Sequence, residues 1–169
     1  MPKLIILIFL APAIIIGCNK DKNPITNDGL NFYLTANNLV DDYTTDYAII
    51  NIDTILLYDE PFISYGNIAY YDTSKYNEVI LGLKSNKTDI EFAGNMRMFV
   101  AKLNDEPVYI GFLWSIFISQ ASNWIFIEDP QEENGLKSNE LRMLTNSTCD
   151  NQVLNPKLID RLRIDNKLK

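Results

Sequence analysis

The chain has no histidine in its 169 residues. That removes Ser-His-Asp and Cys-His catalysis and imidazole-ligated metal sites from the chemistry open to it. It has two cysteines, Cys18 and Cys149. If Cys18 is used elsewhere, Cys149 has no partner within the chain, and no disulfide staples the fold. A lone thiol without an imidazole beside it reads as a small, semi-buried apolar residue. There is no cluster of Lys and Arg, and the formal charge is −7. A nucleic-acid partner is therefore not expected, and acidity also opposes docking of the surface on anionic headgroups. There is no internal repeat. The longest apolar run, Leu4 to Ile16, holds 13 residues and is interrupted by Pro12. A spanning helix needs about 20 apolar residues.

What is present begins with that run. Met1-Pro2-Lys3 supplies a basic start, the run has the length of a signal-peptide core, and Ile15-Ile16-Gly17-Cys18 closes it. A branched aliphatic, a tolerated residue, a small residue and then Cys resembles the lipobox of bacterial lipoproteins, with Ile15 where Leu is commoner. The resemblance implies that the peptide is cut before Cys18 and that the Cys18 sulfur is diacylated. An ordinary secretory signal or a short signal anchor are the other readings. Each buried acyl methylene contributes about 0.8 kcal/mol, and two chains hold a protein stably on a bilayer. The expected localisation is lipid-anchored at the outer membrane, on its periplasmic or cell-surface face, because Asn19 is not the Asp of the simple inner-membrane retention rule.

Three segments follow: 1–17 as leader, 18–30 as lipidated Cys and flexible tether, and 31–169 as a single globular domain. Removing 17 of 169 residues leaves 152, enough for one core. With Lys3 gone from the 15 basic residues, 14 stand against 22 acids, a formal charge of −8. The tether, Asn19 to Gly29, is polar and contains Pro24.

β-Branched and aromatic runs predict strands at Ala48–Tyr58, Tyr76–Leu83, Met96–Leu103, Val108–Ser119, Trp124–Glu128 and Asn139–Thr145. Phe62–Tyr71 reads as extended, broken at Gly66. Asp72 to Lys75 has turn chemistry, so Ile68–Leu83 is a hairpin. Asn104 to Pro107 turns the chain again. Val108–Ser119 is almost wholly apolar, as for a strand covered on both faces, with Gly111 marking a bulge or a close backbone approach. Ser85–Phe92 is a candidate short helix, and 146–155 is irregular. Pro156 opens a C-terminal amphipathic helix with Leu158, Ile159, Leu162 and Ile164 inward and Lys157, Arg161 and Arg163 outward. The fold class is α+β, a mainly antiparallel β-sheet with a short C-terminal helix; a small β-sandwich or barrel with a capping helix is the alternative.

Ile68 to Leu168 resembles a group of small lipoproteins of the Bacteroidetes type. The residues that carry it are Ile68-Ala69-Tyr70-Tyr71-Asp72, Phe99-Val100, and Asp105-Glu106-Pro107-Val108-Tyr109-Ile110-Gly111-Phe112-Leu113-Trp114-Ser115, against a GEPIYxGxFW run followed by serines. Asp105 stands for the Gly, and Leu113-Trp114 for Phe-Trp. Asn155-Pro156-Lys157-Leu158-Ile159 lies where the group has a DPR-containing segment, without its Arg. The resemblance implies an envelope location and a shared fold, and no activity.

The candidate chemistry is thin. Asp105/Glu106 and Glu128/Asp129 are carboxylate pairs at strand ends, but sequence neighbours on a strand point to opposite faces and share a substrate poorly. Ser115 or Ser119 with Lys102 has no supporting spacing for a Ser-Lys pair. Asp129, Glu132, Glu133 and Asn134 form an acidic loop without the alternate-residue spacing of a calcium loop. Tyr109, Phe112, Trp114, Phe117, Trp124 and Phe126 fall within 18 positions. Large aromatics dominate cores, and that is their first reading; the second is an exposed platform for a sugar ring or a protein. On that second reading the contact surface is Tyr109, Trp114, Ser115, Gln120, Asn123 and Trp124. The function expected is a non-enzymatic, lipid-anchored accessory or binding module for a glycan, a peptide or a membrane-protein partner, with no metal and no cofactor. A carboxylate-dependent hydrolase and an inhibitor or immunity-type protein are the alternatives.

Overall fold

A computed structural model describes residues 28–36, 51–86, 97–114, 124–128, 135–145 and 150–169. Seven strands form one sheet: β1 (Leu30–Leu34), β2 (Ile68–Lys75), β3 (Glu78–Leu83), β4 (Arg97–Leu103), β5 (Glu106–Trp114), β6 (Phe126–Glu128) and β7 (Glu140–Leu144). Their spatial order is β1-β4-β5-β6-β7-β3-β2. All neighbours are antiparallel except β5 and β6, which run parallel. Two helices follow, α1 (Asp150–Val153) and α2 (Pro156–Ile164). The sheet is curled into a half-barrel, so the mainly β-sheet α+β class with a capping helix is correct.

Register sorts the side chains onto two faces. Phe32, Ala101 and Tyr109 are paired across β1, β4 and β5, as are Leu113, Ile127, Met143 and Val79 across β5, β6, β7 and β3. They point inward with Tyr71 of β2, whose hydroxyl meets that of Tyr109 from across the curl. Both rings are wholly buried. The Tyr71 hydroxyl donates to the Val153 carbonyl at 3.1 Å and the Tyr109 hydroxyl to Met143 Sδ at 3.8 Å, so neither is left unsatisfied. Phe32, Phe99 and Tyr109 pack with ring centroids 5.7–6.5 Å apart.

The outer face differs between its halves. Along β4 and β5, Met98, Val100, Ile110 and Phe112 are each 1% exposed, as expected of strands covered on both sides. Along β6, β7 and β3 it is polar: Arg142 spans Glu78 and Glu128, both at 3.5 Å.

Turn chemistry sets the hairpins. Asn104 and Asp105 both have positive φ, the signature of a two-residue type I′ turn between β4 and β5. The β2–β3 turn falls at Tyr76-Asn77, with Asn77 at φ 56°, and not at Asp72 to Lys75. The expected close approach at Gly111 is real: a Cβ there would lie 2.4 Å from the Phe99 ring and 3.0 Å from the Ile125 carbonyl oxygen. The bulge itself lies beside it, between Ala101 and Lys102.

α2 has the features its sequence promised. The Asn155 side chain accepts from the Lys157 N–H at 3.0 Å, Pro156 takes the first turn, and Leu158 and Leu162 are buried. It ends in a Schellman motif: Asn166 is left-handed at φ 55°, its N–H bonds the Arg163 carbonyl, and the Lys167 N–H bonds the Leu162 carbonyl. Ile164 is 75% exposed and takes no part in the inward face.

Three expectations fail locally. Within Ala48–Tyr58 the described part is no strand; it is a 3-10 turn at Ile52–Thr54 and a single bridge at Leu57. Ile52, Ile55 and Leu57 still pack on the core, so apolar spacing here reports contact with the sheet and not membership of it. Ser85 and Asn86 are not helical, and the rest of that candidate lies outside the described residues. The segment read as irregular contains α1.

Both outer edges of the sheet are covered by the chain itself. The strap at 55–67 runs along β1, with Phe62 N–H donating to Phe32 O and Tyr58 N–H to Leu34 O at 2.9 and 3.0 Å. Beyond it, a 3-10 turn at Tyr65–Asn67 breaks the chain at Gly66 and leads into β2. On the other edge Tyr71 N–H donates to Lys167 O, and Lys169 N–H to Tyr71 O, at 2.7 and 3.0 Å. An edge so sealed offers no row of unpaired backbone groups.

Candidate functional site

The residues expected to form a contact surface divide into two groups. Tyr109 points into the curl and is fully buried; Trp114 and Trp124 are each 9% exposed. Trp114 packs on Phe126 with centroids 5.5 Å apart, and the Trp124 indole N–H donates to the Ile110 carbonyl at 3.1 Å. In these positions the three aromatics hold the sheet together. Ser115, Gln120 and Asn123 lie outside the described residues, as do Cys18, Cys149, Ser119, Asp129, Glu132, Glu133 and Asn134.

The carboxylate pairs are parts of turns and ion pairs. Asp105 occupies the left-handed turn position and lies 3.7 Å from Lys102, which also sits 5.6 Å from the Tyr33 ring. Glu106, 73% exposed, meets Lys157 at 3.4 Å. Glu128 belongs to Arg142. Among the described residues no three of His, Cys, Asp and Glu stand together as metal ligands, and no helix is long and apolar enough to cross a membrane.

Where carboxyl acidity is displaced, it is displaced downward. Burial pushes Glu140 up, but the Lys137 backbone N–H, the Tyr70 hydroxyl and the Lys137 ammonium outweigh it and bring the group to about 2. The Ser74 backbone N–H lowers Asp72, and the Tyr65 hydroxyl with Arg161 lowers Asp165. A general acid needs displacement the other way.

A cleft of about 490 Å³ opens beside the free end of β1, lined by Leu34, Tyr58, Asp59, Glu60 and Arg97. The local bonding explains its form. The strap is tied to β1 at Tyr58 and again at Phe62, and the residues between, Asp59-Glu60-Pro61, arch away from the strand. Pro61 has no N–H to give to β1, so no ladder bond is lost at that residue of the arch. Arg97, the first residue of β4, faces the arch from the sheet. Tyr58 is 51% exposed, and the neighbouring Leu56 is 65% exposed.

The charges in this cleft differ from most of the others. Elsewhere acids and bases meet within the chain, as in Lys75–Glu78 at 2.9 Å, Arg161–Asp165 at 2.7 Å and Arg163–Asp160 at 2.7 Å. Among the described residues the side chains of Asp59, Glu60 and Arg97 make neither a hydrogen bond nor an ion pair. A second cavity, of about 330 Å³, lies at the β2–β3 turn between Tyr76 and Leu154. Its charged residues are already engaged: Glu78 holds both Lys75 and Arg142.

In the sequence Asp59-Glu60-Pro61 merely follows the Ala48–Tyr58 run, and Arg97 is one polar residue within Met96–Leu103. The signal that pointed to the cleft was an aromatic directly before two acids and a proline. Its basic partner lies 37 positions further on and only the fold brings it near. No family model, no curated protein and no solved structure matches the chain.

Proposed function

We propose that the chain is a lipid-anchored cell-envelope protein that works by binding. The observation that carries the anchor is the leader, an apolar run of 13 residues ending in Ile15-Ile16-Gly17-Cys18. Diacylation at Cys18 holds the mature domain on a bilayer without a spanning helix. Asn19 in place of Asp directs it to the outer membrane. The likeness of the Glu106–Ser115 segment to small Bacteroidetes-type lipoproteins supports the same location. The binding partner is a peptide, a glycan or a neighbouring membrane protein, met through the domain surface, and not a nucleic acid, since no Lys/Arg cluster stands out in the sequence.

A hydrolase ranks behind this reading. A glycosidase-type carboxylate pair needs one acid with a raised pKa, whereas among the described residues the displaced carboxyls, Asp72, Glu140 and Asp165, are lowered.

The test is fractionation and affinity purification of the native protein from mildly solubilised membranes, with Cys18→Ala as the control. The reading expects metabolically supplied palmitate on the wild type, a Cys18→Ala form released from the membrane fraction, and a partner recovered only with the lipidated protein. A Cys18→Ala form that still floats with membranes overturns the anchor. Turnover of a substrate that disappears in Glu106→Gln or Glu128→Gln overturns the non-enzymatic reading.

A further inference from the structure

We infer that the cleft between Tyr58-Asp59-Glu60 and Arg97 binds a short amphoteric peptide, one bearing more ammonium than carboxylate groups. The inference rests on the reading of the chain as a binding protein and supplies its site and ligand class. Three observations carry it. The lining presents two consecutive carboxylates on the arch and one guanidinium on β4, and none of the three has a partner among the described residues. Adjacent like charges favour a cation between them, and the planar guanidinium fork matches a carboxylate in two-point contact. Among the described residues the lining carries two negatives and one positive, which two ammonium groups and one carboxylate complement.

The third observation is the aromatic. Tyrosine rings in this protein take ammonium groups on their faces: Lys167 Nζ stands 3.6 Å from the Tyr65 centroid and Lys169 Nζ 3.3 Å from that of Tyr70. Tyr58 is a half-exposed tyrosine with no cation of the chain over it among the described residues, and it borders the two acids. A ligand ammonium there gains both the ring face and the carboxylates. Leu34 gives the aliphatic part of such a ligand an apolar floor. A neutral sugar would also stack on Tyr58, but it would leave three charges uncompensated. The volume is that of a small-ligand site.

The probe is Lys-Ala-Ala with free termini, which carries two ammonium groups and one carboxylate, titrated by calorimetry or amide NMR into the full lipidated chain in detergent. Saturable binding is expected, weakened at least tenfold in Asp59→Asn/Glu60→Gln, in Arg97→Gln and in Tyr58→Ala, and unchanged in Lys75→Gln at the other cavity. N-acetyl-Ala-Ala-Ala-amide is expected not to saturate, and raising salt from about 0.05 to 0.5 M is expected to weaken Lys-Ala-Ala severalfold. The substituted residues are exposed or half-buried, so a thermal midpoint within a few degrees of wild type confirms that folding is intact. Absence of saturation at about 10 mM, equal binding by the variants, or tighter binding of chitotriose than of Lys-Ala-Ala overturns the inference. If the membrane partner is still captured by Arg97→Gln, the cleft fails and the binding reading stands. If neither a partner nor the peptide is retained by the wild type, the binding reading itself fails.

Discussion

The Tyr65 hydroxyl donates to Asp165 Oδ2 at 2.5 Å, a contact between residues 100 apart in the chain. It joins the end of the strap to the residue that caps α2. Lys167 adds to the joint, donating from Nζ to the Tyr65 carbonyl at 2.5 Å while lying against the ring, and Arg161 Nε meets the same carboxylate at 2.7 Å. Burial pushes the Tyr65 hydroxyl up to about 12, and its bond to Asp165 adds to the shift. Burial and the neighbouring Lys84 lower Lys167.

Replacing Tyr65 by Phe keeps the ring and the Lys167 contact and removes only the hydroxyl. The expected loss is about 1–2 kcal/mol, since the bond is to a charged acceptor but Asp165 keeps Arg161. Tyr65→Ala also opens a cavity and is expected to cost about 3–5 kcal/mol. Urea unfolding of both variants reads the difference, and a Phe variant as stable as wild type would show that the hydroxyl contributes nothing.

Glu140 makes the protein acid-sensitive in a defined window. Its carboxyl is lowered from 4.5 to about 2 in the folded chain. A lowered acid contributes stability that is whole above its unfolded value and is lost as pH falls toward its folded one, here between 4.5 and about 2. Glu140→Gln is expected to lose about 2–3 kcal/mol at neutral pH and to flatten the stability profile across that window. Thermal midpoints from pH 7 down to about pH 2.5 measure it, and a Gln variant that keeps the wild-type slope removes Glu140 as the cause.

Gly111 lies under the Phe99 ring and close to the Ile125 carbonyl. Gly111→Ala forces the ring or β6 to shift and is expected to cost about 2–3 kcal/mol. A double variant with Phe99→Leu relieves the steric part, so a double-mutant cycle is expected to show coupling of about 1 kcal/mol or more; strict additivity would place the strain elsewhere.

Deleting Lys167 to Lys169 removes the backbone bonds from Tyr71 and Thr73 to the tail. β2 then becomes an open edge, and concentration-dependent self-association is expected, read by light scattering or sedimentation. A deleted form that stays monomeric at high concentration would mean that the register irregularities of β2 against β3, between Ile68 and Tyr70 and between Asp72 and Lys75, protect the edge unaided.

The β4–β5 hairpin and α2 were legible because each rests on short-range chemistry: turn residues at Asn104-Asp105, Pro156 opening the helix, and Leu158 with Leu162 one turn apart; the β2–β3 hairpin was legible as a hairpin, but its turn, expected at Asp72 to Lys75, lies at Tyr76-Asn77. The strap was not legible. Ile52, Ile55 and Leu57 have the composition of a strand, but only Leu57 makes a bridge, to Thr35 just past β1, and packing on the core, not pairing, selects the three. The parallel pairing of β5 with β6 was invisible too, since strand direction depends on how the intervening chain returns and leaves no periodicity in either strand. Of the site, the burial of Tyr109, Trp114 and Trp124 follows the ordinary preference of large aromatics, while the cleft needs Arg97 beside Glu60, a proximity that only long-range folding creates.

The covered edges bear on the order in which the molecule is made. β1 pairs with β4, Leu30 with Leu103, and Asp28 meets Arg161, 133 residues later. β1 has only the 55–67 strap beside it until β4 is made, when more than half the chain has been synthesised, and the far border of the sheet stays unsealed until the final residues arrive. Such a topology folds slowly, on the millisecond-to-second scale of other chains rich in distant contacts. The sheet therefore takes its final form only once the tail at Lys167 to Lys169 has joined β2.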